Sequence, residues 1–79
     1  MYIQVTVDLN NYTEKQINLR LSDQYTATKF VDIVWEVEGL TATCREGRWI
    51  RVKNKSQVIG GDQVLADHGV TNGDHLVIL

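Results

Sequence analysis

Proline is absent from this chain, and cysteine and phenylalanine each occur once. Without proline no segment is barred from a central strand position on that ground, so every alternating stretch remains a candidate for sheet. A lone Cys44 excludes an internal disulfide, which fits a protein of the reducing cytosol. Two histidines, His68 and His75, with no cysteine or acidic set spaced around them, fall short of the three or four ligands a zinc site needs. Both are expected to be surface residues, and Cys44 an inert loop thiol. No apolar run approaches membrane-spanning length, and the start alternates Ile3, Val5 and Val7 with polar residues where a signal peptide would be continuously apolar. A formal net charge of -2 gives no overall attraction to nucleic acid or to an anionic membrane.

What is present is alternation, one amphipathic stretch and well-placed turns. Residues 2–9 put Ile3, Val5, Val7 and Leu9 on one face and Gln4, Thr6 and Asp8 on the other, the period of a half-buried strand. A polar loop of Asn10 to Glu14 follows, and Ile17, Leu19 and Leu21 resume the alternation, which predicts an antiparallel hairpin. From Thr26 to Gly39 the spacing changes to three and four. Ala27, Phe30, Val34 and Val37, with Ile33 beside them, predict one helix with its apolar stripe on a core. Thr26 suits the N-cap and Gly39 the left-handed closing position. Alternation returns in Arg48 to Lys53, with Ile50 and Val52 inward and Trp49, Arg51 and Lys53 outward. A short strand is expected at Val58 and Ile59, a helical turn near Asp67, and a last strand from His75 to Leu79.

The predicted order is β, β, α, β, short β, β in one domain spanning residues 1–79. Strands that alternate throughout suit a mixed sheet with one helix on one face and water on the other. The crossover rule lets the last strand lie parallel to the first in the middle of the sheet. That α+β arrangement is the β-grasp.

On these residues the chain resembles ubiquitin-like proteins over essentially its whole length: the opening hairpin, the Glu38-Gly39-Leu40 helix end, Leu65 to Val70, and Gly73 to Leu79. It is similar above all to the small YukD/EsaB family, in Met1-Tyr2-Ile3, Leu19 to Asp23, Arg45 to Val52, and Thr71 to Asp74. The resemblance implies a cytosolic accessory protein of the type VII (Ess/Yuk) secretion machinery of Gram-positive bacteria. It implies no enzymatic activity and no cofactor, and its partners would be other protein components of that machinery, at the membrane if recruited there. Conjugated ubiquitin relatives end in a flexible Gly-Gly tail. Here Val77-Ile78-Leu79 stand in that region and Gly60-Gly61 is internal, so no attachment to targets is expected.

For a site, the residues favour binding over catalysis. No carboxylates pair for acid and base work, and Gly60-Gly61-Asp62 has neither the Lys-Ser/Thr nor the helix of a phosphate loop. Trp49, Arg51 and Lys53 project together from the outer face of the third strand, with Val77 expected beside them; tryptophan and arginine are frequent interface anchors. The bland alternative is that Trp49 covers a strand edge and the cations are merely solvated. Trp35 lies about 140° round the helix from Phe30, with Val31 in the same direction, either packed under a loop or exposed as a second contact. The alternative function is a small nucleic-acid-binding module, because five of the eleven residues from Arg45 to Lys55 are basic and an aromatic could stack on a base.

Overall fold

The computed structural model describes residues 1–79. Strand β1 (Tyr2–Asp8) turns at Leu9, whose carbonyl accepts from the Tyr12 and Thr13 amides at 2.8 Å, and returns as β2 (Gln16–Ser22). Their antiparallel register sets Ile3, Val5 and Val7 against Leu21, Leu19 and Ile17. Helix α1 (Ala27–Glu38) follows, then β3 (Ile50–Val52), β4 (Gln57–Ile59) and β5 (His75–Ile78). The five strands form one sheet in the order β2-β1-β5-β3-β4, with β5 parallel to β1 and antiparallel to β3. The expected mixed sheet with a central last strand and one helix on one face is thus observed.

The ends of α1 are held by the residues the sequence marks. Thr26 accepts the Lys29 amide at 3.2 Å through its hydroxyl, while Ala27 and Thr28 donate theirs to the Gln63 and Gly61 carbonyls at 3.0 and 2.9 Å. The first helical turn therefore leaves few orphan donors, which is what positions α1 against the β4 end of the sheet. At the other end Gly39 adopts φ 59° and donates to the Glu36 carbonyl, the left-handed closure that spares a side chain strain.

The stripe itself differs from expectation in its centre. Phe30, Ala27 and Val34 are buried as predicted, but Val31 is fully buried and Val37 is 58% exposed. The cause is the loop after the helix. Leu40 and Cys44 pack against the core, and the indole N–H of Trp35, one helical turn after Val31, donates to the Ala42 carbonyl at 2.7 Å, so that margin is roofed. No such cover lies over Val37. The remaining core comes from the inner faces of the five strands, Leu9 just past β1, and Leu65 and Val70, which flank the one-turn helix Ala66–His68.

Strand β3 is shorter than the alternation of Arg48 to Lys53 predicts. Gly47 and Arg48 both take positive φ, 87° and 48°, and Lys53 begins a one-turn helix to Lys55. Only Ile50–Val52 keep the ladder.

Candidate interaction face

The outer face of the sheet is open to water, and its β3 side carries the residues singled out from the sequence. Arg51 stands opposite Val77 of β5 on one side and Val58 of β4 on the other, so the three form one row across three strands. Lys53 is one residue past the end of β3, yet it lines a shallow depression together with Arg51, Ser56 and Val58. Val58 is 46% exposed. Two cations and an apolar side chain thus line one depression.

Trp49 does not complete that row. Its ring turns toward β4 and lies against Gly47 and Gly60, where a Cβ would run into ring atoms, at Gly60 within 3.0 Å. With Thr28, Arg48, Gly61 and Asp62 it lines a second, separate groove at the start of α1. Trp49 as a residue is 49% exposed, and its carbonyl accepts the Leu79 amide at 3.0 Å. The expected continuous patch is thus two adjoining surfaces. Trp35 is engaged within the chain: besides its bond to Ala42 it meets Tyr12 edge-on, with ring centroids 4.9 Å apart.

Electrostatics sort the basic stretch into two kinds. Arg48 pairs with Asp32 at 2.8 Å, and Lys55 pairs with Asp74 at 2.9 Å, whereas Arg45, Arg51 and Lys53 make no ion pair. The second pair is a clamp that nothing in the sequence announces. The Asp74 side chain is nearly buried and accepts from Asn54 Nδ2 at 2.9 Å, the Thr71 amide at 2.8 Å and Lys55 Nζ. Lys55 also donates to the Gly69 carbonyl and the Thr71 hydroxyl. Burial pushes the Asp74 carboxyl up, but the bonds from Asn54, Thr71 and Lys55 outweigh it and hold it below the usual carboxylate range. Its own carbonyl accepts the Thr6 amide at 3.0 Å, so the clamp delivers β5 to β1.

The remaining polar candidates are less exposed than the sequence suggests. His75 is on the outer face beside Thr6, only partly exposed, with Nε2 3.9 Å from an Asp8 oxygen and otherwise without a partner. Cys44 is half-buried and receives the Tyr12 hydroxyl at 3.6 Å. That same hydroxyl accepts the Arg45 amide at 3.0 Å and lies 2.8 Å from the Leu79 carbonyl. Desolvation pushes the Tyr12 phenol up, against the lowering effect of the Arg45 amide. The alternation of side chains does give Val58 an outward place, but the pairing of Lys55 with Asp74 spans nineteen residues and has no local signal. No three histidine, cysteine or acidic side chains come together as a metal site would require, and no helix is long and apolar enough to cross a membrane.

Comparison with known proteins agrees with this architecture. The ubiquitin-like domain of an Arabidopsis thaliana protein superposes with a TM-score of 0.74 at 19% identity, over 99% of this chain and 76% of that one. The UBL domain of Plasmodium falciparum Dsk2 superposes with a TM-score of 0.69 at 21% identity, over 100% of both chains. At such identities the likeness is one of fold, and the fold is ubiquitin-like. The ESX secretion system protein YukD of Bacillus subtilis is 47% identical over 79 residues, covering 100% of each chain. The family model for protein YukD of the WXG100 protein secretion system matches residues 2–78. A sheet that reads as β-grasp, a ubiquitin-like superposition and a full-length relative at that identity lead to one statement: this chain belongs to the YukD family.

Proposed function

We infer that the chain is a single non-catalytic docking module, an accessory component of an ESX secretion machinery that works in the cytoplasm by binding an acidic surface of another component. The observation that carries this reading is the unpaired state of Arg51 and Lys53. Two cations that share one depression, with Val58 and Val77 beside them and no carboxylate of their own chain, offer a partner carboxylate both charge and adjoining apolar area. Trp49 at the adjoining edge adds an aromatic anchor of the kind that dominates binding energies. Other parts of the same stretch are already neutralised, Arg48 by Asp32 and Lys55 by Asp74, which weakens the case for a strip tracking a nucleic-acid backbone.

Attachment to targets in the manner of ubiquitin is not part of this reading. The Ile78 carbonyl accepts from Asn11 Nδ2, the Leu79 carbonyl is held by the Tyr12 hydroxyl and the Leu79 amide by Trp49. That segment is built into the sheet, whereas an activating enzyme would need it free and extended. Incubation with ATP and an activating enzyme should give neither adenylate nor thioester.

The decisive experiment is co-purification with the other machinery components from cytosol and membrane fractions. Charge reversal by Arg51→Glu with Lys53→Glu, and separately Trp49→Ala, should abolish it while circular dichroism and melting temperature stay close to the parent. Retention of the complex by the doubly reversed variant would sink the assignment. Titration with single-stranded oligonucleotides tests the rival: salt-sensitive binding would favour it.

A further inference from the structure

A second surface lies on the opposite border of the sheet, independent of the β3–β5 face. Strand β2 is an edge strand of seven residues, free of proline and of acidic side chains. Its hydrogen-bonding directions follow from its neighbour. In β1 the even residues bond toward β5, as Thr6 N–H to Asp74 and the Gln4 carbonyl from Gly73 show, while the ladder to β2 is bracketed by Leu9 with Lys15 and Met1 with Asp23. Ile17, Leu19 and Leu21 therefore exchange bonds with β1. Gln16, Asn18 and Arg20 turn their N–H and C=O groups outward, and none of these joins any hydrogen bond outside the strand ladder. That row is a template for one more strand.

The helix supplies the floor beside it. On α1, Asp32 reaches Arg48 ahead of β3 and Thr28 bonds Gly61 beyond β4, so that margin faces β3 and β4. The other margin, formed by Lys29, Ile33 and Val37 at intervals of four, faces the β2 border. The Lys15 to Glu38 pair at 3.6 Å ties the last turn of α1 to the start of β2. Ile17, Leu19 and Ile33 are only half-buried and Val37 is 58% exposed, so an apolar strip runs between helix and strand with nothing over it. At its far end, where β2 leads round to the start of α1, two cations lack an ion-pair partner. Lys29 stands on the helix side of the edge and Arg20, paired in register with Gln4, on the outer side, so an added strand would meet one with each of its two faces.

We propose that this border receives an extended segment of a partner protein, added to β2 as a sixth strand. The chemistry of the groove sets the segment: aliphatic side chains at alternate positions over Ile17, Leu19, Ile33 and Val37, and carboxylates at the end that meets Arg20 and Lys29. Main-chain bonds to Asn18 and Arg20 give attachment, and the alternate pockets give selectivity. A second copy of the chain does not meet this description, because β2 has no carboxylate between Gln16 and Ser22 to place against the two cations.

The test uses the intact protein and a blocked peptide in which valine alternates with serine and aspartates stand at both ends. A twin peptide carries lysines in their place. NMR titration should shift the Asn18 and Arg20 amides and slow their exchange, with methyl shifts at Ile17, Leu19, Ile33 and Val37. Reversing charge at the ends should weaken binding by about tenfold. Asn18→Pro, which removes an outward N–H while sparing the β1 ladder, and Val37→Asp, an exposed position that leaves the core intact, should each abolish the response. Four outcomes overturn the proposal: no response to the aspartate peptide at millimolar concentration, equal binding of both peptides, shifts centred on Arg51 and Lys53, or self-association that Asn18→Pro removes.

Discussion

Asp74→Ala tests the least expected contact in the molecule. The substitution deletes a carboxylate whose residue is 3% exposed and which accepts bonds from Asn54, Thr71 and Lys55. Bonds to a charged group contribute about 1.5–3 kcal/mol each, which sets a ceiling well above the true effect. Two corrections lower it. The Lys55 side chain is 34% exposed and regains water when its partner goes, and the desolvation of Asp74 itself is no longer incurred. A loss of about 2–3 kcal/mol remains, which for a domain of this size is a fall in Tm of roughly 10–20 °C. Calorimetry at neutral pH, with Lys55→Ala and the double variant completing a cycle, should give a coupling of about 1 kcal/mol or more. The pH dependence has a definite sign. The folded carboxyl titrates below the ordinary aspartate range, so its stabilisation is complete above that range and is lost as pH falls through the folded value. Asp74→Asn should therefore lag the parent at neutral pH and converge with it in acid. A Tm change under about 3 °C for Asp74→Ala, equivalent to well under 1 kcal/mol, would refute the reasoning, as would a deficit in Asp74→Asn that persists undiminished in acid.

Further predictions follow from single contacts. Thr26→Ala removes the acceptor for the Lys29 amide and should cost about 1 kcal/mol in chemical denaturation, with Thr26→Ser restoring it. Gly61→Ala would set a Cβ 2.7 Å from the Thr28 hydroxyl and 2.8 Å from the Gly47 carbonyl, so Tm should fall, whereas the same change at Gly69 meets open space and is strained only through its φ of 80°. Tyr12→Phe should lower stability by about 1–2 kcal/mol through the loss of its bonds to Leu79 and the Arg45 amide. Ultraviolet titration of the parent should find the Tyr12 phenol above 10.0.

The sequence carries the architecture because each element repeats its own period. Ile3, Val5 and Val7 name the inner face of β1, and Thr26 and Gly39 bound α1, since both signals are local and survive any tertiary context. Periodicity is weaker at margins. Val31 and Val37 exchange places because the loop through Ala42, which has no period, folds over one side of the helix and not the other. The candidate face shows the same division. Arg51 and Val77 align because antiparallel register is regular, but Lys53 leaves the strand and Trp49 swings aside where Gly47 and Arg48 turn left-handed. Which cations are already paired was invisible in the sequence, as Asp32 and Asp74 are far from Arg48 and Lys55 along the chain.

The place of β5 also has a consequence for how the molecule comes to be. Strands β1 and β2 form one hairpin and β3 and β4 another, and within the sheet only β5 links the two. Without that four-residue strand the two hairpins would share no ladder, and the helix above them would have no complete floor. Closing the gap pairs Thr6 with His75, a contact across most of the chain, so it carries a large loop-closure cost. Folding should behave as the shutting of a zip fastener whose slider is β5, with the Asp74 clamp as its catch.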